Sequence, residues 1–170
     1  MAQGDLLSGA IRPDQVAAGG WSLGGYAAEA LAAGDDDVCD VSAGLFDDPC
    51  PFPPGTRTAP DPRFKAIVTL DGSNQVLHFD ELARVTVPAM GMGEEWSTLA
   101  ASSLFGASWQ ARQHAAFQGH PNYRVDVSGT IHESFSDYCE DIPMLGDVGV
   151  FDQGYVAFLE QLFCTNPTPS

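Results

Sequence analysis

Apolar positions along the chain fall into short runs of strand length, separated by segments that repeat at helical spacing. Residues 64–70 (FKAIVTL) are an almost continuous apolar run, and residues 123–127 (YRVDV) alternate. Residues 15–19 (QVAAG) and residues 89–93 (AMGMG, led by Pro88) read as two further strands. Between them, residues 23–33 (LGGYAAEALAA) predict an Ala-rich helix ending at Gly34. A short helix is expected over residues 79–84, and a longer one over residues 108–118 (SWQARQHAAFQ), stopped by Gly119. A closing helix spans residues 155–163, with Tyr155, Val156, Phe158, Leu159 and Leu162 as its apolar positions. Strands alternating with helices imply βαβ units, so the expectation is one α/β domain. Its sheet is short and mostly parallel, about four strands flanked by helices. Residues 34–62 hold DDD, DDPCPFPPG and APDP and read as a long surface loop; the final TNPTPS reads as a frayed tail.

Where the first strand gives way to the first helix stands Gly20-Trp21-Ser22-Leu23-Gly24, a G-x-S-x-G pattern. A nucleophilic serine needs a sharp strand-to-helix turn that projects its hydroxyl. The flanking glycines are expected to leave room where strand and helix crowd together. Ser22 then sits at a helix N-terminus, where the dipole favours a developing oxyanion and the Leu23 N–H is one donor. Without a base, this pentapeptide is a glycine loop with Ser22 as a cap.

A hydroxyl becomes nucleophilic when a base removes its proton. His78 and His114 fall in or near helices, and His120 precedes Pro121 in a turn, so all three read as ordinary histidines. His132 follows the last strand by a short loop, in GTIHESFSD, which is where a base belongs in the chain order Ser, acid, His. For the carboxylate that orients the base, two places compete. Asp71 closes the strand FKAIVTL, and Glu94 with Glu95 closes the next one. Acids at both strand ends face the crevice where parallel sheets bind ligands, and the pattern alone does not choose between them.

Taken in order, GWSLGG, IVTLDG, VPAMGMGEEW and GTIHESFSDY resemble the platelet-activating-factor acetylhydrolase-like and dienelactone-hydrolase-related branch of the α/β-hydrolases. The resemblance covers roughly residues 15–139. It implies a serine esterase or lipase-like enzyme with Ser22, Asp71 and His132 as its triad and Glu95 as a neighbour. No metal or organic cofactor is called for. The expected substrates are short acyl esters, and Trp21, Trp96 and Phe135, as candidates to line an apolar cleft, extend the expectation to lipid-like or polyester esters. Thioesters or amides are alternative substrates, and a non-catalytic remnant that binds a ligand or partner is the rival of another class. The chain departs from the family because only about fourteen residues precede the first strand; the fold expected is the C-terminal half of a hydrolase, its N-terminal strands missing. That first strand becomes a sheet edge, near Leu6, Leu7 and Val16, and a homodimer through it is the expected way to cover it.

Composition narrows the partners. Seven basic against 23 acidic residues leave a net charge of −16, which disfavours nucleic acid and anionic membrane surfaces. No apolar run is long enough to span a bilayer. The start, MAQGDLLSGA, lacks the regions of a signal peptide, so secretion would require a leader upstream. None of the four cysteines forms a CxxC pair, which argues against structural zinc. An even number suits two disulfides in an oxidising compartment, Cys39 with Cys50 and Cys139 with Cys164 being the simplest of three pairings. Four free core thiols are the alternative.

Overall fold

The structure, a computed structural model, describes residues 12–39, 50, 52–72, 77–94, 107–130 and 132–164. Four strands, β1 (Val16–Trp21), β2 (Phe64–Leu70), β3 (Ala89–Glu94) and β4 (Asn122–Val127), form one sheet in the order β1-β2-β3-β4, parallel throughout. The α/β architecture and the strand number expected from the hydrophobic pattern are therefore present. So is the edge position of β1, which pairs with β2 alone among the described residues.

Register partners in a parallel sheet point to the same side. Ala18, Ile67 and Ala89 are partners, so one face carries Ile67, Thr69 and Ala89, all buried. Helices α1 (Leu23–Ala33), α2 (Phe79–Leu82) and α3 (Ala107–Ala116) cover that face. Ala28, Ala33, Leu77, Leu82, Val85 and Phe117 complete the main core there. The opposite face carries Phe64, Ala66, Val68 and Leu70 of β2, only half-buried, and Tyr123 of β4, which is exposed. A second, smaller cluster of Ile142, Val156 and Leu159 joins α4 (Tyr138–Asp147) to α5 (Gln153–Leu159).

Three expectations change. Residues 34–62 are not a purely solvated loop: Asp35 is buried, bridges Thr58 through the backbone and accepts a 2.7 Å hydrogen bond from the Tyr26 hydroxyl. A carboxylate placed under a tyrosine tip gains a partner that composition does not reveal. The closing helix starts two residues early and turns into a π-helical segment at Glu160–Cys164; Val156 and Leu159 are buried but Tyr155 and Phe158 are exposed. Helix α4 was not expected, because Pro143 lies inside it and removes one backbone donor. Both local disulfides form, Cys39–Cys50 and Cys139–Cys164, and the latter ties α4 to the π-helical segment. No helix among the described residues is long and apolar enough to cross a membrane.

Candidate functional site

Parallel strands all end at one edge of the sheet, and the chemistry-bearing side chains gather there. Ser22 follows β1 with φ 54°, ψ −121°, and Asp71 follows β2 with φ 43°. Positive φ is costly for residues with a Cβ, and such strain clusters at functional turns. Both turns are pinned by backbone bonds across the sheet: Ser22 N–H donates to the Leu70 carbonyl at 3.1 Å, and Asp71 N–H to the Met92 carbonyl at 2.7 Å. Neighbouring strands thus present the serine and the carboxylate side by side.

The glycines of the serine turn divide their work differently from the expectation. A Cβ at Gly20 would lie 2.3 Å from the Gly24 carbonyl carbon, so Gly20 is sterically required. A Cβ at Gly24 would meet nothing within 4 Å, whereas at Gly25 it would lie 2.7 Å from the Gly72 Cα. The crowding that the motif's second glycine was expected to relieve falls one residue later, where α1 passes the turn after Asp71.

His132 arrives from the loop after β4, at the start of a short 3₁₀ turn (His132–Phe135). Its Nδ1 lies 2.5 Å from Asp71 Oδ2, and its Nε2 lies 3.0 Å from Ser22 Oγ. In the tautomer that carries its proton on Nδ1, His132 donates to Asp71 Oδ2, and Nε2 accepts from the Ser22 hydroxyl. The pair behind the serine is sealed, Asp71 being 0% and His132 6% exposed, and Ser22 is half-buried at the rim. The Leu23 N–H opens α1, one of the donors a helix leaves without an internal acceptor, while the Leu23 side chain is exposed.

Trp21, expected to line a cleft, donates its indole N–H to the His132 carbonyl at 2.8 Å. Its ring stacks at a tilt 5.0 Å from the imidazole and 6.3 Å from the Tyr138 ring. Phe135 is half-buried in the 3₁₀ turn. Trp96 and Glu95 lie outside the described residues, and of Glu94 only the backbone, paired with Val127, is described.

Two site residues escaped the sequence reading. Gln110 of α3 is buried and donates its amide N–H to Asp71 Oδ1 at 2.8 Å. Glu133, next to His132, is buried with its Oε2 unpartnered. Burial pushes its carboxyl above the usual range; its own backbone N–H and the His132 charge pull the other way, and Asp71 adds to the rise. A signal for Gln110 did exist: glutamines three apart on one helix, in line with apolar Phe117, mark polar groups on a core-facing stripe. Among the described residues, no group of three or more His, Cys, Asp or Glu side chains is arranged to hold a metal ion. Compared with known proteins, the chain matches no family model, no curated protein and no solved structure.

Proposed function

We propose that this protein is a serine carboxyl-ester hydrolase, with Ser22 as nucleophile, His132 as general base and acid, and Asp71 as the carboxylate that orients His132. One observation carries the reading: the unbroken relay from Ser22 Oγ through His132 to Asp71, at 3.0 and 2.5 Å. In it Ser22 Oγ attacks the ester carbonyl while His132 Nε2 takes its proton. The imidazolium so formed is stabilised by Asp71. The carbonyl oxygen, now negative, accepts from the Leu23 N–H at the positive end of α1. His132 then returns the proton to the leaving alcohol, and water resolves the acyl-enzyme by the same route reversed.

Membership of the α/β-hydrolases, in the platelet-activating-factor acetylhydrolase-like and dienelactone-hydrolase-related branch, is part of this proposal and rests on the order of the four motifs. The substrate class is a short acyl, lipid-like or polyester ester, with Trp21, Phe135 and Trp96 as its apolar contacts. The unpaired edge of β1 among the described residues supports self-association as a homodimer through that strand. Sedimentation over a dilution series tests it: a monomer at every concentration rules the dimer out.

Hydrolysis of p-nitrophenyl acetate, together with covalent labelling by a fluorophosphonate probe, tests the chemistry. Wild-type protein is expected to turn over the ester and to take the probe on Ser22. Ser22→Ala is expected to lose both, with a fall in kcat of roughly a millionfold and an unchanged fold. An alanine variant that keeps a tenth of the wild-type rate ends this mechanism. A matched amide, assayed alongside, separates an esterase from an amidase.

A further inference from the structure

Beyond the three reacting residues, the end of β2 poses a structural question. A lone carboxylate at a strained turn can rotate about its last torsion, and only one of its oxygens can serve His132. Asp71 divides its two oxygens: Oδ2 faces His132 Nδ1 at 2.5 Å, and Oδ1 accepts the Gln110 amide at 2.8 Å. Gln110 is 3% exposed, so no water replaces that donor cheaply. Its side chain reaches Asp71 by lying across β3, where the strand reads AMGMGE. A Cβ at Gly93 would stand 2.4 Å from both Gln110 Cδ and Nε2, and one at Gly91 would stand 4.0 Å from Oε1. Glycine at 93 is otherwise costly in a strand interior, since it adds chain entropy and packs nothing. Its presence is explained by the amide that occupies the space.

We propose that Gln110 is the positioning residue of the Asp71–His132 pair, and that Gly93 keeps open the path its side chain takes. The proposal rests on the serine-hydrolase reading above and adds the group that sets how the acid presents itself to the base. Gln110 touches neither substrate nor the reacting atoms. It acts by holding the Asp71 carboxylate in one rotamer and by drawing part of its negative charge toward Oδ1. Among the described residues, Glu133 beside His132 and Tyr138 behind Trp21 are titratable groups near it besides Asp71, and neither is altered by the substitutions below.

Gln110→Met keeps the length and removes the donor; Gln110→Glu keeps the shape and replaces the donor with an acceptor; Gly93→Ala leaves Gln110 in the chain and blocks its path. Each full-length variant is assayed for p-nitrophenyl acetate hydrolysis across pH, with circular dichroism as the check on folding. The expected result in folded variants is a kcat lower by about 10–100-fold with KM within about twofold. The acid limb of kcat/KM moves to higher pH by about half a unit, because more of the Asp71 charge is then free to favour the imidazolium. A folded variant that loses rate with an unmoved acid limb marks Gln110 as core filling and overturns the proposal, as does one with wild-type kinetics. If wild-type protein neither hydrolyses the ester nor takes the probe at Ser22, the hydrolase reading fails by itself. The His132 ring titration, followed by NMR, then decides the coupling without turnover: an upward shift in Gln110→Met supports it, and an unmoved titration overturns it. Should all three variants fail to fold, the residues are structural and the proposal falls.

Discussion

Helix α3 holds two buried carboxylates by the same device, and their fates differ. Gln110 donates to Asp71, and Gln113, one turn later, donates to Glu29 of α1. Both acids are 0% exposed. Asp71 has a second partner, the His132 imidazole, which becomes a cation whenever it takes a proton. Glu29 has none: its Oε2 is unpartnered, and burial pushes its pKa from 4.5 up to about 8, only partly offset by the Gln113 amide. At Glu29 the single amide donor does not offset the cost of burial. Asp71 faces an imidazole that can take a proton, whereas Glu29 rests as a neutral acid between two helices.

The largest expected effect lies on the Asp71 side. Asp71→Asn keeps the shape but offers His132 a donor in place of an acceptor, so the imidazole takes the wrong tautomer for accepting the Ser22 proton. Its kcat is expected to fall about 10⁴-fold, measured on p-nitrophenyl acetate. A nearly silent Asp71→Asn would move the acid's role to the Glu94–Glu95 pair.

A smaller effect, on stability alone, belongs to Glu29. Its folded-state pKa lies above the unfolded value, so between about pH 4.5 and about pH 8 the folded chain keeps a proton that the unfolded chain has lost. Folding stability from this group is therefore full at low pH, falls as pH rises through that window, and levels off above it. The slope inside the window is roughly 1.4 kcal/mol per pH unit. Glu29→Gln removes the titration, so its stability gain over wild type, read by denaturant unfolding, should be larger at pH 8 than at pH 5. An equal difference at both pH values would mean that Glu29 is already ionised in the fold. The smallest effect is on rate: the same Glu29→Gln variant should hydrolyse ester within about twofold of wild type, because the pair it alters touches no reacting group.

Much of this arrangement was legible in the chain. The strand runs at residues 64–70 and 123–127 and the Ala-rich helix at residues 23–33 appear within a residue of where the pattern put them. Their periodicity is unambiguous and their ends carry Gly or turn residues. Ser22 and His132 stood out because each follows a strand closely, a local feature that Asp71 shares with Glu94 and Glu95. Helix α4 was hidden by Pro143, and its place is held by burial of Ile142 against Val156 and Leu159. Trp21 was identified as an apolar contact, but its indole N–H is spent on a carbonyl 111 positions away.

What the amino-acid sequence determined by itself was the order of elements, the sharp turns and the chemical types at strand ends, since these depend on neighbours a few positions apart. It left open which acid meets the base. Asp71 and the Glu94–Glu95 pair end adjacent strands and look alike in one dimension. Only the tertiary structure places Asp71 within 2.5 Å of His132, 61 positions later. Only it, too, lays Gln110 over Gly93 to hold that carboxylate, and leaves Glu29 without a cation. The reason is physical: a buried charge is decided by whatever stands within a few ångströms of it, and those groups come from strands and helices far apart in the chain.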